Sequence, residues 1–194
     1  MNSFLTGLAG ASARLIGVML GAVVAVIVAG FLVITGFQGW YESRREEWQL
    51  ARMPAFLQVT GMTYSNEVSE GPGPGANETG LAVYGLPDAI ATEIADKGLD
   101  FFARAETPWK GWRPTPVERD QSWSVDFRTA PAAAPPDLAD YLDEYGRPLD
   151  VPPRLAAQID HAIQAPGSYY AYGRAGSLLI VAPAARQAYL LYRG

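Results

Sequence analysis

Hydrophobic residues are distributed unevenly along the chain, and the longest apolar run lies near the N-terminus. Residues 15–37 carry no charged side chain, and the first 41 residues contain only one, Arg14. A helix of this length measures about 35 Å, which exceeds a hydrocarbon core of about 30 Å. Because backbone polar groups in lipid must be satisfied within the segment, we predict a transmembrane helix at 15–37 after a short tail at 1–14.

The residues that follow the apolar run favour an uncleaved anchor. Trp40 and Tyr41 come next, and amphipathic rings of this kind favour the membrane–water interface. A cleaved signal peptide fits less well, because its apolar core is only about 7–15 residues long. We predict that residues 38–53 form a juxtamembrane helix that ends before Pro54.

Small residues recur at every fourth position along the predicted span. They are Ala9, Ala13, Gly17, Gly21, Ala25 and Ala29. At 3.6 residues per turn these positions form one slowly drifting face, and small side chains let a second helix approach closely. Glycine and alanine are also common in membrane helices without such a contact. The spacing favours helix–helix packing through Ala13 to Ala29, either with a second copy or with another membrane protein.

Beyond Pro54 the apolar positions alternate between a period of two and a period of three to four. The predicted strands lie near 56–64 and at 81–84, 99–103, 122–127, 169–172, 178–181 and 188–192. The predicted helices follow Pro87, span 138–145 and begin at Pro153. Such mixed periods are typical of an α+β fold. We therefore predict a soluble α+β domain at 54–194 with a mostly antiparallel sheet, a C-terminal three-stranded meander and two or three helices.

Two segments of this domain have distinctive patterns. Residues 178–181 are apolar on both sides, which predicts a central strand covered on both faces. The segment 70–77 contains alternating glycine and proline at 71–75, a pattern that cannot hold a helix or a sheet ladder. We predict a flexible loop there.

Composition excludes several classes of function. The chain has a net charge of −5 and no basic tract, whereas nucleic-acid binding needs clustered Lys and Arg. Without cysteine there are no disulfides, thiolate metal sites or thiol nucleophiles. His161 is the only histidine and is interpreted as a solvated surface residue, since no oriented partner is identifiable. We predict no enzyme activity, no catalytic residue, no metal and no cofactor.

A proline-rich stretch at 108–116 contains Trp109, Trp112 and Arg113. Prolines at this density exclude an interior strand or helix, so we predict that the stretch lies at the surface. Tryptophan and arginine dominate binding hot spots, so these three residues are candidates for partner binding. Alternatively, both indoles fold back and cap the core. The pattern leaves these alternatives open.

These features together predict a non-enzymatic accessory or assembly subunit of a bacterial membrane protein complex. The alternative is a periplasmic binding module for peptidoglycan or another envelope ligand. The amino-acid composition, rich in Arg and Ala and poor in Lys, is typical of proteins from bacteria with GC-rich genomes.

The charges that flank the predicted span bear on its orientation. Arg44, Arg45 and Arg52 favour a cytoplasmic domain under the positive-inside rule. The short N-terminal tail and the lack of cysteine favour the opposite side, and we predict a single-pass inner-membrane protein with a periplasmic domain.

Overall fold

A computed structural model of the chain describes residues 24, 26–33, 35–36, 47, 50–69, 78–105, 108–119, 136–142 and 149–193. The chain divides into two compact units, residues 1–48 and 49–194. In the first unit, the described residues between 24 and 36 are helical. Phe31 and Val33 there are 65% and 70% exposed. The Thr35 hydroxyl donates to the carbonyl of Phe31 at 3.0 Å, so this polar group is satisfied inside the helix.

Within the described part of the chain, none of the helices combines the length and the apolar character that crossing a bilayer requires. Most of the predicted span at 15–37 lies outside the described residues. Of the predicted juxtamembrane helix at 38–53, Glu47, Leu50 and Ala51 are helical in the structure.

The second unit is built on one antiparallel sheet of six strands. The strands are β1 Met62–Ser69, β2 Glu78–Gly85, β3 Arg113–Pro114, β4 Tyr169–Tyr172, β5 Leu178–Ala182 and β6 Gln187–Arg193. Their order across the sheet is β1-β2-β6-β5-β4-β3. The α-helices are α1 Asp88–Lys97, α2 Leu138–Leu142 and α3 Pro153–Gln164. The predicted α+β class and the C-terminal meander of β4, β5 and β6 are confirmed.

Strand β5 is buried along its whole length, as its apolar sequence predicts. Because side chains alternate across a strand, Leu179 and Val181 face one layer of the core while Leu178 and Ile180 face the other. The first layer contains α1 and the second contains α2 and α3. The sheet is therefore covered on both faces, with β5 and β6 at its centre.

Proline and glycine set the bounds of the two longer helices. Pro87 precedes α1 and Pro153 occupies the first turn of α3, where a missing backbone N–H costs nothing. Helix α1 ends at Lys97, and the following Gly98 has a φ of 57°, a conformation that glycine adopts without strain. Ile94 on α1 and Ile159 on α3 are fully buried against opposite faces of the sheet.

The predicted strand at 99–103 is wrong. Residues Gly98–Arg104 form a 3₁₀ helix. Phe101 and Phe102 are adjacent and both belong to the same core layer, whereas neighbouring side chains of a strand face opposite sides. A short apolar run is compatible with a strand or with a helical turn, and here the turn at Gly98 favours the 3₁₀ helix.

Four further predictions differ from the structure or lie wholly or partly outside the described residues. The strand predicted near 56–64 begins only at Met62, because Ala55–Leu57 form a 3₁₀ turn. The strand predicted at 122–127 and the loop predicted at 70–77 lie outside the described residues. The helix predicted at 138–145 is described only as Leu138–Leu142.

Replacing Ile180 with alanine tests the two-sided core. Its side chain is completely buried, so Ile180→Ala should lower the free energy of unfolding by about 2–5 kcal/mol through lost burial and a residual cavity. Urea unfolding of residues 49–194 measures the change. The control is Leu99→Ala, because Leu99 is 44% exposed and its truncation should cost less than about 1 kcal/mol. Equal losses for the two variants would contradict a core centred on β5.

Candidate functional site

Trp109 folds back onto the core. It is 4% exposed and belongs to the same core layer as Leu179 and Val181. Its indole Nε1 donates a hydrogen bond to the carbonyl oxygen of Arg52 at 2.9 Å. The ring lies so close to Gly173 that a Cβ at that position would come within 2.7 Å of it. Trp109 thus caps the core and ties the start of the second unit to the loop that carries it.

Trp112 is only half-buried and lies against other aromatic rings. Its ring stacks on Phe102 with centroids 4.1 Å apart and an interplanar angle of 20°. Phe56 meets the same indole edge-on at 6.4 Å. The indole Nε1 donates to the carbonyl of Trp109 at 3.2 Å. One face and the polar group of Trp112 are therefore used inside the protein.

A shallow cavity of about 300 Å³ opens between the 3₁₀ helix Gly98–Arg104 and the loop that carries Trp112. We call it the Leu99–Trp112 groove. It is lined by Leu99, Phe102, Ala103, Ala105, Lys110, Gly111 and Trp112. Among the described residues of the second unit, Leu99 is the one large hydrophobic side chain that is exposed. The groove therefore presents an apolar side chain to solvent beside an aromatic stack.

Charged side chains lie against the aromatic rings behind the groove. The Arg104 guanidinium lies 4.0 Å from the centroid of the Phe101 ring and 3.3 Å from a Glu93 carboxylate oxygen. Lys97 bonds the same carboxylate at 2.8 Å. This hydrogen bond is the main reason why the pKa of Glu93 lies below its ordinary value, with the charges of Lys97 and Arg104 adding to it. Glu93 is thus ionised at neutral pH and can hold Arg104 over the phenyl ring.

The structure brings together only some of the predicted partner-binding residues. Trp112 lines the groove, Trp109 lies in the core behind it, and Arg113 lies on β3 outside the lining. The Arg113 guanidinium pairs with Glu118 at 3.0 Å and covers Tyr170 at 5.6 Å. Leu99 was missed because its exposure depends on the turn at Gly98, which periodicity alone does not reveal.

The remaining predicted residues belong to the first unit. Of the small-residue face, Ala29 is helical and exposed, whereas Ala13, Gly17, Gly21 and Ala25 lie outside the described residues. Trp40 and Tyr41 of the predicted membrane interface also lie outside them.

The groove has a lining of mixed chemical character. Its lining combines apolar and aromatic side chains with one cationic group, Lys110. Among the described residues, no three side chains of His, Asp or Glu are grouped so as to hold a metal ion.

Comparisons with protein-family models, with curated proteins and with solved structures found no match for this chain.

Alanine substitutions should separate the roles of the two tryptophans. Trp109→Ala removes a buried ring and leaves the Arg52 carbonyl without its donor, so it should cost about 3–5 kcal/mol of stability. Trp112→Ala should cost only about 1–2 kcal/mol, because that side chain is only partly buried. Urea unfolding of residues 49–194 followed by circular dichroism provides both values. The reverse order would mean that Trp112, and not Trp109, caps the core.

Proposed function

We propose that the chain is a single-pass, non-enzymatic accessory or assembly subunit of a bacterial membrane protein complex. Its second unit binds a protein partner through the Leu99–Trp112 groove. The observation that carries the proposal is the exposed Leu99 beside the half-buried Trp112. An apolar side chain next to an aromatic anchor is the usual centre of a protein–protein hot spot.

The composition of the groove favours a protein partner over a sugar. A saccharide ring needs an open aromatic face together with polar groups that bond its hydroxyls. One face of Trp112 is covered by Phe102, and Lys110 carries the one charged side chain among the described residues of the lining. Trp109, the other residue that favoured a peptidoglycan ligand, is buried. These features support the accessory subunit over the alternative of a peptidoglycan-binding module.

The place of the groove along the chain suits a partner in the same membrane. Arg52 bonds Trp109, and Phe56 packs against Phe102 and Trp112. Both residues follow the predicted span at 15–37 by fewer than twenty positions. Because so few residues separate this segment from the predicted span, a partner in the same membrane would meet the groove at a raised effective concentration.

The apolar run at 15–37 supports the proposed membrane anchor, and the small-residue face supports a helix–helix contact. The described part of the run is helical with its apolar side chains exposed, a surface that suits lipid or another helix. The Gly17 and Gly21 face provides a second contact, with the same partner or with a copy of the chain. The proposal includes a location in the inner membrane, with the second unit in the periplasm.

Polar substitution of Leu99 tests the groove. The full-length protein is purified from its native membranes in mild detergent, and co-purifying proteins are quantified by mass spectrometry. The parent chain should retain a stoichiometric partner. Leu99→Asn keeps the side-chain size but buries an amide at the interface, so partner recovery should fall at least about tenfold.

The matched control is Leu99→Met, which keeps the position apolar and should retain the partner. Loss of the partner in both variants, or in neither, would contradict recognition through Leu99. If only Gly17→Ile combined with Gly21→Ile released the partner, the contact would lie in the membrane. A parent chain that carries no protein partner but is retained on peptidoglycan would favour the alternative function.

A further inference from the structure

A second, larger cavity lies on the opposite face of the sheet from the groove. It measures about 420 Å³ and opens between helix α3 and the turn that joins β5 to β6. Its buried side is formed by Ala162, Ala182 and Tyr189, which belong to the core layer of α2 and α3. We call it the α3 cavity. Its volume falls in the range of about 300–1,000 Å³ that is usual for small-molecule sites.

Small side chains create this space. Five alanines, from α3, from the end of β5 and from the turn after it, line the cavity together with Pro166 and Gly167. Tyr189 is 1% exposed, and its hydroxyl donates to the Gln187 side chain at 2.8 Å. Burial raises the pKa of Tyr189, so the phenol stays uncharged at neutral pH. The interior of the cavity is thus apolar and electrically neutral.

The rim is polar, and its side chains have no protein partners among the described residues. Arg154, Gln158 and His161 are exposed and follow one another at helical spacing on α3. None of the three side chains makes a hydrogen bond or ion pair with another described residue. Ser168 lines the same cavity, is only 7% exposed, and its hydroxyl also has no partner among the described residues. The hydrogen-bond donors of these side chains therefore have no partner among the described residues and lie beside an apolar space.

The charge at the rim is positive in a chain whose net charge is −5. Arg154 is cationic, and none of the described residues lining the cavity is acidic. An arginine fork matches a planar carboxylate in bidentate geometry. A phosphate dianion would lose more solvation against a mainly apolar wall than a single carboxylate would. The cavity therefore suits a ligand with one negative charge and an apolar body.

We propose that the α3 cavity binds a small monocarboxylic acid with a compact apolar body. Arg154 binds the carboxylate at the rim, His161 and Gln158 provide further hydrogen bonds, and the apolar body packs against the alanines and Tyr189. This site is separate from the Leu99–Trp112 groove and does not depend on the function proposed for that groove.

The single histidine provides a direct test. His161 is the only histidine of the chain, so [¹³Cε1]-histidine labelling gives one NMR signal at the rim of the cavity. The full-length protein, without a polyhistidine tag, is placed in lipid nanodiscs and titrated with cyclohexanecarboxylate. Cyclohexanemethanol and acetate are titrated in parallel, because they supply the apolar body and the carboxylate separately. Cyclohexanecarboxylate should shift the His161 signal saturably. It should bind at least about tenfold more tightly than cyclohexanemethanol or acetate.

Three substitutions locate the site. Arg154→Gln should weaken binding of the acid about tenfold while leaving binding of the alcohol unchanged. Ala157→Leu places a larger side chain in the lining and should weaken both ligands. Arg174→Gln removes the same charge from the turn before β5, at the other end of that strand, and should change neither. Circular dichroism verifies that each exposed-site variant folds.

The proposal fails if the His161 signal shows no saturable shift with the acid. It also fails if acid and alcohol bind equally, since the charge at the rim would then play no part. Equal weakening by Arg154→Gln and Arg174→Gln would show a general effect of net charge, which contradicts a site at Arg154. Unchanged binding in Ala157→Leu would place the ligand outside the cavity.

Discussion

The two-sided burial of strand β5 is the constraint on which the rest of the second unit depends. An apolar strand of five residues with no exposed face can be stable only between two layers, so α1 must cover one face while α2 and α3 cover the other. Strand β6 pairs with β5 on one side and with β2 on the other, which fixes the register of the sheet. Each surface feature shares residues with one of these layers: the Leu99–Trp112 groove includes Phe102 of the first, and the α3 cavity includes Ala162 and Tyr189 of the second.

The two features differ in the physical reason for their existence. The groove results from large side chains, because Phe56, Phe102 and Trp112 pack edge-on or stacked and leave Leu99 outside the cluster. The cavity results from small side chains, because alanines occupy positions where leucine or valine would fill the space. The groove therefore suits a complementary protein surface, and the cavity suits a molecule that enters it. The proposed subunit would thus have two separate binding surfaces.

The sequence predicted those parts of the fold whose signals are local. The meander of β4, β5 and β6 and helices α1 and α3 follow from apolar periods bounded by proline and glycine. The pairing of β2 with β6 was not predictable, because Leu81 and Leu191 are partners across a separation that leaves no local pattern. Of the groove, the sequence indicated Trp112 but not Leu99. The cavity was not predictable, because no sequence pattern shows where small side chains from separate elements will leave a space. The position of His161 at its rim depends on the same tertiary packing.

The proposed accessory function requires that the chain stay attached to the bilayer through the predicted span at 15–37. Extraction of native membranes with alkaline carbonate and with high salt tests this, because such washes remove proteins held by charge but not those held by an apolar helix. The full-length chain should stay in the membrane pellet, whereas residues 49–194 expressed alone should be found in the supernatant and folded. Release of the intact full-length chain into the wash would contradict the account.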